Sequence, residues 1–160
     1  GGLGQEEAII QALNHAQAPS AVQCVINPLN SAGAIGYVSE AFNPLAILSK
    51  CQQLDIPILA IRAVQAGALT SSMDRSPHES GFDKSDFDDF DKAEPFRDLA
   101  IEWGESPASL AHRYALSIKG VASVILGVKN RTELKECVEA EAKDLLSDSE
   151  IQQIENCLKG

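Results

Sequence analysis

Basic residues are scarce in this sequence. Its 160 residues include 13 lysines and arginines against 23 aspartates and glutamates, a formal net charge of −10. A chain with this balance lacks the basic surface that displaces counterions from nucleic-acid phosphates or binds anionic membranes. Long hydrophobic runs are also lacking, and no apolar segment approaches the roughly 20 residues of a membrane span. We therefore expect neither a nucleic-acid partner nor a membrane partner.

Clustered metal ligands are lacking as well. The four cysteines are widely spaced without a CxxC pair, and the three histidines are scattered, whereas a zinc site needs ligands at short spacing. We expect reduced, mostly buried thiols and no metal site. The residues concerned are Cys24, Cys51, Cys137, Cys157, His15, His78 and His112.

Catalytic signatures are missing too. The sequence contains no GxSxG elbow, no HExxH helix and no plausible Cys–His pair. Of the two tyrosines, Tyr114 lies in a predicted helix as a packing residue and Tyr37 in a predicted loop. Residue patterns alone therefore assign no catalytic residue.

The start of the chain lacks a methionine, because it begins at Gly1, and it shows no signal-peptide pattern. We expect a cut end and a cytoplasmic protein. Hydrophobic residues make up 44% and charged residues 22%, the balance of an ordinary globular protein. The length favours a single domain, residues 1–160, with a sizeable core.

Three short apolar segments are present and predict strands: Ala21–Ile26, Ile56–Ile61 and Val121–Leu126. Helical periodicity separates them, which predicts an α/β fold with a parallel sheet and right-handed crossovers. The strands are apolar on both faces, as a sheet covered by helices or closed into a barrel requires. Three strands leave two unpaired edges, so either the edges are protected or further strands belong to the sheet. The predicted helices are Gln5–Ala16, Glu40–Leu54, Ala93–Trp103, Pro107–Ser117, Asn130–Ala140 and a last one from a capping box at Ser147 to Leu158.

An acidic stretch, Asp83–Glu94, has the length of a calcium-binding loop and ends in glutamate. Its fifth and sixth positions are phenylalanine and aspartate, where an EF-hand needs an oxygen ligand and glycine, so the calcium hypothesis fails. We interpret residues 73–92 as an acidic, solvated loop anchored by Phe82, Phe87 and Phe90. A mobile lid over a site is the alternative.

Three loops follow the predicted strands at residues 27–33, 62–72 and 127–130. In parallel α/β folds, ligands bind at the carboxyl ends of the strands. The second loop contains "AVQAGAL", whose small side chains leave backbone N–H groups accessible. These loops are the candidate ligand-binding region.

The third loop places Gly127 at a strand end, beside Lys129, Arg131 and a helix N-terminus. Unpaired N–H groups and a partial positive charge at such a terminus favour phosphate. Asn130 and Glu133 also fit a capping-box-like pairing that serves only the helix. Both hypotheses, phosphate site and ordinary connection, stay open on the residues alone.

The loops in this order resemble the C-terminal half of an aldo-keto reductase. The resemblance is carried by "EEAIIQAL", "AVQCVINPLNS", "LDIPILAIRAVQAGALTSS" and "LAIEWGESPASLAHRYALSIKGVASVILGVKNRTELKECVEA", and it covers nearly the whole chain. Members of that family are (β/α)8 barrels that reduce carbonyls with NADPH. The resemblance implies a partial TIM barrel holding about strands 6 to 8, and the missing strands would explain the open edges.

The resemblance also implies cofactor-binding roles. A strand glutamine binds the nicotinamide carboxamide, the loop after strand seven lines the pyrophosphate, and the loop after strand eight holds the adenosine 2′-phosphate. The matching residues are Gln23; then Ala63, Val64, Ala66, Gly67 and Leu69; then Gly127, Val128, Lys129 and Arg131, with Cys137 where an asparagine often contacts adenine.

Three positions depart from the family pattern. Ile61 stands where many members stack an aromatic ring on the nicotinamide, and Cys137 cannot form both hydrogen bonds of an asparagine. Glu133 stands where glutamine or arginine often approaches the 2′-phosphate, and a carboxylate there repels a phosphate dianion. The cofactor is therefore NADP or NAD.

The resemblance places the family's catalytic aspartate, tyrosine, lysine and histidine in the N-terminal half of the barrel. It thus implies a cofactor-binding half of an oxidoreductase that acts on a small carbonyl or alcohol and is inactive alone. Two alternatives stay open: a non-catalytic module for cofactor sensing or interaction, and a half-barrel that self-associates through its sheet edges.

Overall fold

Three parallel strands form the centre of the protein in a computed structural model that describes residues 6–35, 43–81 and 83–159. They are β1 (Val22–Val25), β2 (Ile58–Ile61) and β3 (Val121–Val124), and β2 lies between the other two. Cys24 pairs with Ala60, which pairs in turn with Val124. The predicted α/β class and parallel pairing are confirmed.

Seven α-helices accompany the strands within the described residues. Pro107 at the start of α5 follows Ser106, whose hydroxyl accepts from the Ser109 backbone N–H at 3.1 Å. The capping box of Ser147 and Glu150 opens α7, as predicted. The helices are α1 (Glu6–Leu13), α2 (Pro44–Gln53), α3 (Lys84–Lys92), α4 (Glu94–Glu102), α5 (Pro107–Ser117), α6 (Arg131–Glu141) and α7 (Asp148–Cys157).

Two hydrophobic clusters hold these elements together. The first joins one face of the sheet to α1 and α2 through side chains such as Ile47 and Ile58. The second joins α4, α5 and α7 around Phe96, Leu110 and Ile154, all fully buried. Because α5 contributes to both clusters, it fixes the loops at the sheet edge relative to the helical layer.

The opposite face of the sheet is open over part of its area. Gln23, Leu59 and Ser123 lie in register across the three strands, and Gln23 and Ser123 are exposed, whereas Val25 on the same face is 1% exposed. The expectation that both strand faces are covered therefore holds fully for one face of the described sheet. Strand residues that point to that covered face, such as Cys24, Ile58 and Ala60, fill the core.

Residues 84–92 of the acidic segment form the helix α3, so the prediction of a solvated loop is wrong for them, whereas residues 73–81 form neither helix nor strand. In α3, Asp86 and Asp89 lie on one face and are 4% and 5% exposed. Charge rather than hydrophobicity defines the buried face of this helix, which is why apolar periodicity does not reveal it. Phe87 and Phe90 are half-buried, with guanidinium groups over their rings, and Phe82 lies outside the described residues.

The cysteines of the described chain are free thiols. Cys24 and Cys51 are fully buried, and burial raises the pKa of Cys24 to about 12. Cys137 and Cys157 are half-buried, so the expected burial is confirmed fully for two of the four. Tyr114 is a packing residue as predicted, whereas Tyr37 lies outside the described residues.

No helix in the described ranges is long and apolar enough to cross a membrane. Nor do the described residues bring three or more His, Cys, Asp or Glu side chains together in a group that could hold a metal ion.

Candidate functional site

A cavity of about 600 Å³ lies between the loops that follow β2 and β3. The two strands are adjacent and parallel, so their carboxyl ends open onto the same edge of the sheet. The first turn of α5 and the N-terminal half of α6 complete its wall. Its size is that of a small-molecule site.

Most of the residues predicted for the site line this cavity. The loop after β2 contributes Ala63, Val64, Ala66 and Gly67, and the region after β3 contributes Gly127, Val128, Lys129, Glu133 and Cys137.

Four predicted site residues lie elsewhere. Gln23 is exposed on the open face of β1, and Ile61 is half-buried at the end of β2. Leu69 is fully buried in the second hydrophobic cluster, where only its backbone could serve a ligand. Arg131 is exposed at the first position of α6.

The loop after β2 has an unusual backbone. Arg62, Gln65 and Ala66 all have positive φ angles, of 57°, 45° and 53°, although none is glycine. Residues other than glycine rarely adopt positive φ angles, and such backbone strain persists only where the surrounding structure fixes it. Here Arg62 Nε donates to Gln65 Oε1 at 2.7 Å, and Gln65 is fully buried. The loop is thereby held with its small side chains towards the cavity.

Asp86 of α3 holds this loop from outside. Its carboxylate accepts from Arg62 at 2.8 Å, from Arg75 at 2.9 Å and from the Ala34 backbone N–H at 3.0 Å. Burial lowers the pKa of Arg62, and the charge of Asp86 opposes that effect. Two guanidinium groups that line the cavity are thus already paired with a carboxylate.

Asp89, one turn further along α3, ties the loop after β1 to the loop after β2. It accepts from Ser31 Oγ at 2.5 Å and from Gln65 Nε2 at 2.7 Å. Asn27 adds a second link, because its Nδ2 donates both to Ser31 O at 2.9 Å and to Arg62 O at 3.1 Å. The predicted loop at residues 27–33 therefore supports the cavity without lining it.

The loop after β3 is fixed by its own residues. Asn130 caps α6 by accepting from the Glu133 backbone N–H at 3.0 Å. Glu133 Oε2 accepts from the Lys129 backbone N–H at 2.7 Å, and its Oε1 accepts from Asn130 Nδ2 at 2.9 Å. The capping-box-like pairing is confirmed. Lys129 forms an ion pair with Asp74 across the cavity mouth.

Cys137 and His112 are in contact, a proximity that their spacing in the sequence does not show. Cys137 Sγ lies 3.2 Å from His112 Nε2, between α6 and α5. Burial raises the pKa of the thiol most, and the negative charges of Glu136 and Glu133 raise it further. Burial lowers the pKa of the imidazole. Both directions favour a neutral hydrogen-bonded pair over a thiolate–imidazolium pair, so the thiol is not activated as a nucleophile.

His112 is 6% exposed, lines the cavity, and has an Nδ1 atom with no hydrogen-bond partner among the described residues. A buried polar atom without a partner costs free energy unless something else satisfies it. Because Nδ1 is itself shielded from solvent, it is an unsatisfied polar atom within the wall and not a contact open to a ligand.

Sequence reasoning missed part of the lining. The spacing of Ala108 and His112 on α5 places both on one helical face, a signal that pointed towards a shared neighbour. The predicted loop at residues 62–72 contains four further lining residues that no motif singles out: Arg62, Thr70, Ser71 and Ser72. The lining residues outside the predicted loops, which sequence reasoning missed, are Asp74, Arg75, Ala108, His112, Ile125, Leu126 and Glu136.

The chain matches the model of a known protein family. The model of the aldo/keto reductase family matches residues 6–159. A search of curated proteins gave no match. The matched range includes all three strands and every described residue of the cavity.

Proposed function

The chain belongs to the aldo/keto reductase family, and from that premise we propose that it is the cofactor-binding part of an NAD(P)H-dependent oxidoreductase. Family membership implies an oxidoreductase in the intact protein. The observation that carries the finer proposal is the cavity between the loops after β2 and β3, at the carboxyl ends of adjacent parallel strands.

We further propose that the three strands are a segment of a (β/α)8 barrel. Consecutive strands pair in parallel with helices on one side, and the other face of the sheet is partly open. In a closed barrel, such a face would point to the interior. The free edges of β1 and β3 would each pair with a further strand of the barrel. Gln23 on that face and Ile61 at the end of β2 would then contact the nicotinamide end of the cofactor.

The residues of the cavity fit the other end of a dinucleotide. A Cβ atom built on Gly127 meets nothing within 4 Å, so the loop after β3 leaves room for a bulky group. The backbone at Ala66 and Gly67 would line the pyrophosphate. The paired charges around Arg62 and Arg75 rigidify this wall.

A bound nicotinamide supplies hydride chemistry towards a carbonyl carbon. The residues of this chain bind and orient the cofactor, and the proton donor is proposed to be a tyrosine outside it. The chain alone should therefore bind cofactor without turnover.

Titration of the chain with NADH and NADPH, followed by nicotinamide fluorescence, tests the proposal. We expect saturable binding that Gly127→Phe abolishes, because the new ring fills the cavity. Gln53→Phe, on an exposed position of α2 outside the cavity, should bind like the unaltered chain. Absence of binding at millimolar cofactor, or equal binding by Gly127→Phe, would refute the proposed site.

The rival function is an interaction module that keeps the cavity without chemistry. It is favoured by apolar exposure beside β3, where Ile125 and Leu126 are 42% and 40% exposed. Sedimentation equilibrium of the chain separates the two. Self-association that mutation of Ile125 to serine abolishes, combined with absent cofactor binding, would favour the rival.

A further inference from the structure

We propose that the adenosine end of the cavity selects NAD over NADP, with Glu133 as the residue that determines the choice. The inference rests on the proposed cofactor site and goes beyond it, because the family resemblance leaves both cofactors open. It is argued from the contacts of Glu133 and from the charges around it.

The carboxylate of Glu133 accepts a hydrogen bond from the backbone N–H of Lys129, a donor that an anion could otherwise use. A helix N-terminus binds phosphate through free N–H groups. At α6, the N–H of Lys129 already donates to Glu133 Oε2 at 2.7 Å, and the N–H of Glu133 donates to Asn130 Oδ1 at 3.0 Å. A 2′-phosphate would have to displace a carboxylate of the same sign.

The surrounding charges add to this effect. Lys129 is paired with Asp74, and Glu133 and Glu136 also line the cavity. The remaining lining cations, Arg62 and Arg75, are paired with Asp86. Every lysine and arginine of the lining therefore faces a carboxylate, and the three lining cations are matched by three lining carboxylates. A phosphate dianion finds no unpaired cation in the lining and is repelled by Glu133, whereas a neutral hydroxyl is not.

Glu133 can also recognise a ribose hydroxyl directly. Each of its oxygens accepts one hydrogen bond, from Asn130 Nδ2 and from Lys129 N, so each retains accepting capacity. In other dinucleotide-binding folds, an acidic residue that accepts from the ribose 2′-hydroxyl favours NAD.

The test compares dissociation constants for NADH and NADPH in three forms of the chain: unaltered, Glu133→Gln and Glu139→Gln. Glutamine keeps an acceptor for the Lys129 N–H, removes the charge and loses the acceptor for Asn130 Nδ2. The N-cap bond from the backbone N–H of residue 133 to Asn130 Oδ1 does not involve the substituted side chain and stays. Glu139 lies on the same helix, pairs with Lys135 and does not line the cavity. We expect the unaltered chain to prefer NADH, and Glu133→Gln to shift the ratio towards NADPH by about tenfold. Glu139→Gln should leave the ratio unchanged.

Competition by 2′,5′-ADP and by 5′-ADP isolates the adenosine end from the nicotinamide end. We expect 5′-ADP to compete better against NADH in the unaltered chain, and 2′,5′-ADP to gain in Glu133→Gln. Because the groups around Lys129 are exposed, added salt should reduce the difference in affinity between 5′-ADP and 2′,5′-ADP.

The outcomes separate the two proposals. Binding of both dinucleotides with a preference for NADPH, or a ratio that Glu133→Gln does not move, overturns the selectivity and leaves the cofactor site standing. Binding of neither dinucleotide overturns the cofactor site and the selectivity together. An equal shift in Glu139→Gln would show that helix charge in general, and not Glu133, sets the ratio.

Discussion

The loops after β2 and β3 face each other across one cavity and are held in opposite ways. The first is held by residues distant in sequence: Asp86 lies 24 positions from Arg62, and Asp89 lies 58 positions from Ser31. The second is held by Asn130 and Glu133, within four residues of the groups they bind. Long-range support fixes one wall and local support fixes the other.

The ion pairs of the two loops also differ in burial, and the pair in the first loop is the more buried. The side chains of Arg62 and Asp86 are 18% and 6% exposed, whereas those of Lys129 and Asp74 are 66% and 45% exposed. Breaking a buried pair leaves an uncompensated charge, while an exposed pair contributes little. Substitutions in the first wall should therefore affect stability, and substitutions in the second should mainly affect ligand choice.

The largest effect is expected from Asp86→Asn. The change leaves Arg62 without its carboxylate and Arg75 with only its longer pair to Asp83 at 3.6 Å, and it should lower the free energy of unfolding by about 3 kcal/mol. Urea unfolding followed by circular dichroism measures it. Asp88→Asn, on the same helix but in an exposed pair with Lys84, should cost about 0.5 kcal/mol or less. Equal effects of the two substitutions would show that α3 is not anchored through Asp86.

Gly33→Ala should be the next most damaging change. Gly33 has a φ of 56°, and a Cβ atom there would overlap Asp86 Oδ1, so we expect a loss of about 2 kcal/mol. Gly81→Ala is the matched control, because Gly81 has a similar φ of 67° but open space around it. It should cost about 1 kcal/mol. If Gly81→Ala were as destabilising as Gly33→Ala, the loss at Gly33 would come from its backbone conformation and not from overlap with Asp86 of α3.

Asn130→Ala probes the locally supported wall. It removes the side-chain cap of α6 and should lower the free energy of unfolding by about 1 kcal/mol. Denaturant unfolding checks the value. A loss as large as that of Asp86→Asn would contradict the distinction between the two walls.

The smallest effect concerns pH. Burial lowers the pKa of His112 below its ordinary value of 6.5, so the unfolded chain binds the proton more tightly. The stability that neutral His112 contributes is complete above pH 6.5 and is lost as the pH falls below it. Between about pH 7.5 and about pH 5.5, the free energy of unfolding should fall less in His112→Gln than in the unaltered chain. Identical drops would mean that His112 is not buried as a neutral group.

The contrast between the walls also explains what the sequence could predict. Strand and helix positions follow from local periodicity, and the caps at Ser106, Asn130 and Ser147 follow from residues three positions apart. The site at the strand ends follows from parallel topology. Each of these signals lies within a short window of sequence.

The remainder depends on contacts between distant residues. The carboxylates of α3 look like solvated charges until Arg62, Gln65 and Ser31 are brought beside them. Cys137 and His112 are 25 residues apart and meet only because α6 packs on α5. The positive φ angles of the loop after β2 are likewise set by this support, since nothing in "IRAVQAG" demands them.

The account's central claim is that these two unlike loops form a single dinucleotide site. The most direct test is to follow the backbone amide resonances of the ¹⁵N-labelled chain during titration with NADH. The account predicts the largest shifts at Gly67, Gly127 and Lys129, with little change at Lys159 beyond α7. Shifts that cluster away from these loops, or that affect one loop and spare the other, would contradict it.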